Sequence, residues 1–197
     1  MEEIEAKFLG IDTQDIENKL KALGAEFKGE KTLHAISFDF PDYRLDEGSS
    51  WVRLRTDGTN VMLAYKQRLG VKEGGGNDDG MKEIETCVGD FETTRQFLRA
   101  IGMIEKFAME KRRRSWRKGP VAYDIDHHPK LDPYLEIETD SWDRLDAAAR
   151  ELGIDPASKK ICSTHQIYKE IGINENDFVK MTFAEWIPRS PGAPGLS

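Results

Sequence analysis

Over several short stretches of this 197-residue chain apolar and polar positions alternate, and over others they recur at the spacing of an amphipathic helix. The first eight residues, MEEIEAKF, read as a strand with Glu3, Glu5 and Lys7 on one face and Ile4, Ala6 and Phe8 on the other. The segments EIEAKFLGIDTQDIENKLKALGA, EIETCVGDFETTRQFLRAIGM and EIETDSWDRLDAAARELGI each open on Glu-Ile-Glu and run into Leu-Gly or Ile-Gly. Each predicts a strand followed by an amphipathic helix. Asp12, Asp90 and Ser141 fit as N-caps, and Gly24, Gly102 and Gly153 as the glycines that end the helices in the left-handed region. Ile16, Leu20 and Leu23, and Phe97, Leu98 and Ile101, are expected to pack inward. Further strands are predicted at HAISFDF, SWVRLRT, NVMLAYKQR, KRRRSWR and PVAYDID, with turns at Asp57-Gly58 and Lys118-Gly119-Pro120. GVKEGGGNDDG, 70–80, reads as a mobile loop, 160–171 as a last short helix, and PRSPGAPGLS as a disordered end.

The polar faces of these strands are unusual. Arg53 and Arg55 share a face, as do Lys66 and Arg68, and Lys111 and Arg113; Glu83 pairs with Glu85, Asp124 with Asp126, and Glu136 with Glu138. A charged outer face is ordinary for an antiparallel sheet. Segregation by sign within each strand is not, because like charges two apart repel unless something of opposite sign lies between them. A closed sheet with its apolar face outward under the helices and its charged face lining a cavity satisfies both patterns. Such a bore suits a polyanion bridged by divalent cations, with basic side chains on phosphate oxygens and carboxylates on Mg2+ or Mn2+. On that reading the glutamates of MEEIEAKF ligate metal and Lys7 touches phosphate.

Composition narrows the setting. The length suits one generous domain, or a domain with an extended tail. With 38% hydrophobic and 33% charged residues and a mean hydropathy of -0.62, the chain is expected to be soluble and cytoplasmic. No apolar run approaches the roughly 20 residues that span a bilayer, and the acidic N-terminus does not resemble a signal peptide. Cys87 and Cys162 make neither a disulfide framework nor a metal cluster. A net charge of -7 argues against nucleic acid or membrane surfaces as partners, so KRRRSWR reads as a strand with half its charges in the cavity and half in solvent. His127-His128 precedes Pro129 in a connection and makes a poor metal site, and Gly74-Gly75-Gly76 lacks the Lys-Ser/Thr of a phosphate loop. Trp51, Trp116, Trp142 and Trp186 read as packing residues, with Trp116 able to close a tunnel mouth.

Glu3-x-Glu5-x-Lys7 resembles the ExExK signature of the CYTH superfamily, the triphosphate tunnel metalloenzymes, which includes class IV adenylyl cyclases, thiamine triphosphatases and inorganic triphosphatases. Arg53-x-Arg55 after a Gly-Ser-Ser turn, Lys66, Glu83-x-Glu85, Lys111-x-Arg113, Asp126 and Leu135-Glu136-Ile137-Glu138 follow in the family's order. The resemblance implies an α+β, mainly β fold: a closed eight-stranded antiparallel β-barrel, the triphosphate tunnel, with helices packed outside. It implies a CYTH domain over 1–172 and a C-terminal extension over 173–197.

The same resemblance implies roles. Glu3, Glu5, Glu136 and Glu138 would be metal ligands, with Asp126 or Asp124 close to a second Mg2+ or Mn2+. Lys7, Arg53, Arg55, Lys66, Lys111 and Arg113 would bind triphosphate, with Glu5, Lys66 and Glu138 closest to the chemistry. Glu83 and Glu85 would support these bases or contact the base end of the substrate, Asp124 would be a further supporting acid, and Lys159 or Lys160 would supply a late lysine. HAISFDFPDYRLDEGSSWVRLR is similar to the class IV adenylyl cyclase-like (CyaB-like) branch, which converts ATP to cyclic AMP and pyrophosphate; Ser37 stands where other members carry Tyr, which weakens a tyrosine-assisted hydrolysis. The alternatives are a Mg2+-dependent triphosphatase acting on tripolyphosphate or thiamine triphosphate, and a non-catalytic module binding nucleotide or polyphosphate. A homodimer is compatible with all three.

Overall fold

The computed structural model describes residues 4–69 and 81–190, so Glu3, the 70–80 loop and the last seven residues of the tail lie outside the described residues. In chain order it contains β1 (Ile4–Phe8), α1 (Thr13–Ala22), β2 (Glu26–Asp39), α2 (Arg44–Glu47), β3 (Ser50–Thr56), β4 (Val61–Arg68), β5 (Met81–Val88), α3 (Phe91–Ala100), β6 (Ile104–Lys118), β7 (Val121–His127), β8 (Tyr134–Thr139), α4 (Trp142–Glu151), α5 (Thr164–Glu170), β9 (Phe178–Met181) and β10 (Trp186–Pro188). The fold is α+β and mainly β. The strand order is β1-β8-β7-β6-β2-β3-β4-β5, antiparallel wherever a register is recorded along it. No helix among the described residues is long and apolar enough to cross a membrane.

The expected closed ring is met, among the described residues, by a ladder with two ends, for no pairing joins β1 to β5. The outer edge of β1 is occupied otherwise: the Lys7 N–H donates to the Lys160 carbonyl at 2.9 Å, and the Lys160 N–H returns to the Lys7 carbonyl at 2.8 Å. An edge strand whose backbone groups are satisfied has that much less need of a neighbour.

The chain divides into two compact units, one of residues 1–32 and 111–173, the other of 33–110 and 174–197. In the first unit, Ala6 and Phe8 of β1, Tyr123 and Ile125 of β7, and Leu135 and Ile137 of β8 are buried with Ile16 and Leu20 of α1 and with Leu145, Ala148 and Ala149 of α4. The apolar strand face therefore lies against helices, and period-two alternation turns Glu5, Lys7, Asp124, Asp126, Glu136 and Glu138 to the other face. Asp12, Asp90 and Ser141 cap α1, α3 and α4 as the sequence predicts, each side chain accepting a backbone N–H three residues on. Trp116 is a packing residue of this core, its ring 4.8 Å from that of Phe27.

In the second unit Ile36, Phe38, Leu54, Leu98 and Met103 form the core. Helix α3 departs from expectation: Leu98 is buried, but Phe97 and Ile101 are 60% and 52% exposed. It seats on the sheet through Phe91 and Leu98, seven residues apart on one stripe, which leaves the neighbouring 97/101 stripe outside. The tail also differs from expectation at its start. Pro188 belongs to β10, and the Arg189 guanidinium donates to the carbonyls of Lys106, Asn176 and Phe178, each at 3.0 Å.

Candidate functional site

In the first unit the charged face of β1, β8, β7 and β6 is a connected ion-pair network. Lys7 Nζ lies 2.9 Å from Glu5 and 3.0 Å from Glu136. Arg113 reaches Glu136 at 2.9 Å, Asp124 at 2.7 Å and both oxygens of Asp126 at 2.6 Å, and Lys111 Nζ adds a contact to Asp126 at 2.6 Å. Sheet register explains the clustering, since Lys7 stands opposite Glu136, Glu136 opposite Asp124, and Arg113 opposite Asp126.

Burial disfavours charge on Lys7, Lys111, Arg113, Asp124, Asp126 and Glu136, and their partners decide the outcome. Against burial, Glu136 and Glu5 hold the Lys7 ammonium above its ordinary value, and Asp126, Glu136 and Asp124 do the same for Arg113. Against burial, Lys111 and Arg113 hold the Asp126 carboxyl far below the usual range, and Lys7 and Arg113 lower Glu136. For Asp124 burial wins over Arg113 and its carboxyl is raised; for Lys111 burial wins over Asp126 and its ammonium is lowered.

The second unit carries a different set. Arg53 contacts Glu83 at 3.0 Å and Glu85 at 3.4 Å, Arg55 contacts Glu85 at 3.4 Å, and Lys66 contacts Glu83 at 3.0 Å. Here three cations share two carboxylates. Burial lowers both Arg53 and Lys66, and the neighbouring cations Arg55 and Arg53, respectively, add to the effect. Arg53 Nε is buried with no hydrogen-bond partner among the described residues. An unsatisfied N–H inside a cationic cluster is a donor without its acceptor.

A family model covers most of the chain. The CYTH domain matches residues 1–180. The chain belongs to the CYTH domain family. Solved structures of similar fold include the PH1012 protein from Pyrococcus horikoshii OT3, at 23% identity and a TM-score of 0.63, covering 80% of this chain and 94% of that one. A protein of Vibrio parahaemolyticus proposed to be an adenylate cyclase matches at 17% identity and a TM-score of 0.69, over 87% of this chain and 97% of its own. HpAC1 of Hippeastrum, a proposed adenylyl cyclase with a dominant triphosphatase activity, matches at 16% and 0.60, over 85% and 94%. No curated protein matches the chain significantly.

Within this CYTH chain, the structure gathers Glu5, Lys7, Lys111, Arg113, Asp124, Asp126 and Glu136 in the first unit, with Glu138 directly opposite Glu5 on β8. It gathers Arg53, Arg55, Lys66, Glu83 and Glu85 in the second. The late lysines separate. Lys159 Nζ lies 2.6 Å from Asp146 and over the Trp142 ring, on the side of α4. Lys160 is bridged to Lys7 through the backbone, and its ammonium meets Glu170.

Divalent metal is tested by the acids themselves. Their donors are all carboxylate oxygens, the chemistry of a hard cation such as Mg2+ or Mn2+, and Glu5 and Glu138 stand directly opposite each other on neighbouring strands. The donor set fits. Yet among the described residues no group of three or more His, Cys, Asp or Glu forms a ready cage. Lys7, Lys111 and Arg113 stand among the carboxylates and already offset the repulsion that the sequence alone seemed to leave to metal.

Sequence reasoning weighed His128 only as a metal ligand and missed Tyr134. His128 is 2% exposed; its Nε2 lies 3.1 Å from the Tyr134 hydroxyl, which is 3.2 Å from Thr164 Oγ1. His128 Nδ1 is buried with no partner among the described residues. The signal was available: one more period-two step after Asp124 and Asp126 reaches His128, and one before Glu136 reaches Tyr134.

Proposed function

We propose that this CYTH chain is a metal-dependent triphosphate-processing enzyme, most specifically an adenylyl cyclase of class IV type that converts ATP to cyclic AMP and pyrophosphate. The observation that carries the triphosphate reading is the buried, unpartnered Arg53 Nε within the Arg53, Arg55, Lys66 cluster. Phosphate oxygens supply the acceptor it lacks, and a chain of three phosphates can engage all three cations where a monophosphate cannot. Glu83 and Glu85 hold these side chains in place, and being partly exposed they can give way to a more highly charged acceptor.

Glu5, Asp126, Glu136 and Glu138 would hold divalent cations, together with Glu3. Bound cations would neutralise charge on the phosphates and assist the attacking hydroxyl. Lys7 and Arg113, each shared among carboxylates, would be released toward phosphate oxygens once those carboxylates turn to metal. Lys66, whose burial lowers its pKa, would sit as the basic group closest to the reacting phosphate. The domain limit at residue 172 belongs to this proposal. A triphosphatase is the second reading, favoured because the Arg53, Arg55 and Lys66 cluster would engage phosphates whatever group carries them.

Product analysis separates the two. ATP, tripolyphosphate and thiamine triphosphate are each incubated with the protein in Mg2+ or Mn2+, and the products resolved by chromatography. Cyclisation yields equal amounts of cyclic AMP and pyrophosphate, whereas terminal hydrolysis yields ADP and orthophosphate. A cyclase must bring the ribose 3′-hydroxyl within about 3 to 3.5 Å of the α-phosphorus, so 3′-deoxy-ATP should bind and give no cyclic product. Rapid tripolyphosphate cleavage without cyclic AMP would replace the cyclase by the triphosphatase. Retained ATP binding without turnover of any triphosphate would replace both by a binding module.

A further inference from the structure

Alternation along β6 and β7 sorts two sequence features into opposite halves. Lys111 and Arg113 join the acids Asp124 and Asp126, while Arg112, Arg114 and His127 stand on the other face and have no part in the proposed reaction. These leftover residues converge. Arg112 is directly opposite His127 in the register, Arg114 opposite Ile125, and all four line a pocket of about 180 Å3 with Thr13 and Glu30.

The pocket is built rather than incidental. The Arg114 guanidinium is fixed on one side by Glu17 through Nε and by Glu30 at 2.7 Å through Nη1, and lies 5.4 Å from the centre of the Phe27 ring. Those contacts leave Nη2 uncommitted to Glu17 or Glu30. A fixed guanidinium edge, a second guanidinium, an imidazole and a hydroxyl in one small concavity are the donor types that recognise a tetrahedral oxyanion. We propose that this pocket binds a phosphate-class oxyanion, either free inorganic phosphate or the phosphate of a phosphomonoester, independently of the triphosphate cluster. Glu30 is its competitor for Arg114 and, half-exposed, can swing into water when the anion arrives.

The test is a titration of the full chain with inorganic phosphate in a chelator, followed by the ring resonances of its four histidines. His127 should move saturably while His34 and His165 stay. Arg112→Ala should weaken the response about tenfold, the loss expected for one charge-assisted hydrogen bond. Glu30→Gln should strengthen it by removing the competing carboxylate. The response should persist in Arg53→Ala, which disables the other phosphate-reading cluster, so it survives or fails separately from the proposed reaction. Glycerol phosphate run in parallel distinguishes the ligands: a response to both assigns the phosphomonoester group, and a response to phosphate alone assigns the free ion. No movement of His127 through ~10 mM phosphate, where a bound anion gains little free energy, would overturn the proposal. So would an unchanged curve in Arg112→Ala, or loss of the response in Arg53→Ala.

Discussion

The acid-rich network of the first unit and the base-rich cluster of the second are built from the same device, like charges two residues apart on a strand, and differ in burial. Asp126 is fully buried and Glu136 nearly so, whereas Glu83 and Glu85 keep about a third of their side chains in solvent. A buried carboxylate is tolerated only with its counterion in place, while a partly exposed one is solvated whether paired or not. Pairing in the first unit is therefore a condition of folding. In the second the pairs can part at little cost.

The largest expected effect breaks the comparison directly. Arg113→Ala strips counterions from Asp124, Asp126 and Glu136 together and should cost roughly 3 to 5 kcal/mol, the range for breaking a buried pair from one side. Arg53→Ala removes contacts to partly exposed glutamates and should cost no more than about 1 kcal/mol. Urea denaturation of both variants in a chelator measures the difference. Equal losses would mean that burial does not distinguish the two sets.

The next effect uses pH. His128 is pushed down to about 3 by burial and by Lys111, below its ordinary value near 6.5. The unfolded chain then binds a proton that the folded chain refuses, so stability falls as pH drops below about 6.5, by roughly 1.4 kcal/mol per unit, until the folded value is reached. Asp126 and Glu136 act in the same direction lower down. Their folded values are depressed, so the stability they contribute is present above the unfolded value near 4 and lost as pH falls through the folded one. Lys66 in the second unit titrates at the alkaline end. Its depressed value means that stability rises with pH between the folded and unfolded values. His128→Gln should flatten the denaturation midpoint between pH 6 and 4, in about the window set by that shift. A wild-type midpoint that is already flat there would remove His128 from the account.

How much of this was legible follows from the range of each interaction. Caps and helix-ending glycines are local, and Asp12, Asp90, Ser141, Gly24, Gly102 and Gly153 could be read directly. Which strand residues face apart is also local, since the period of two carries it along β1, β3, β7 and β8. Partnership is not local. Arg113 meets Asp126 and Glu136 through register across β6, β7 and β8, and a one-residue slip would turn every charge to the other face. The sequence showed acid pairs and left their neutralisation to metal, when bases on neighbouring strands supply it. The closed ring was inferred from the faces and from the family resemblance, and neither says how an edge such as that of β1 is satisfied. Likewise the α3 stripe holding Phe97 and Ile101 is as apolar as the one that docks, and only packing chooses between them.

The smallest effect sharpens the comparison inside the first unit, between two carboxylates that share Arg113. Asp124 accepts Arg113 Nη1 at 2.7 Å, yet burial, Asp126 and Glu136 together raise its carboxyl above the ordinary value. Its sign is thus opposite to that of Asp126. A carboxyl with a raised folded value contributes stability below the unfolded value and loses it as pH rises through the folded one, so above that folded value the ionised Asp124 is a net cost. Asp124→Asn keeps an oxygen for Arg113 and removes the charge, and should change stability by less than about 1 kcal/mol, in the stabilising direction. Asp126→Asn removes the charge that Lys111 and Arg113 both need and should cost roughly 3 kcal/mol. Denaturation curves at neutral pH for the two variants decide it. If Asp124→Asn proves as damaging as Asp126→Asn, Asp124 is part of the folding condition, and the acids of the first unit have no member free to be given to a cation without loss.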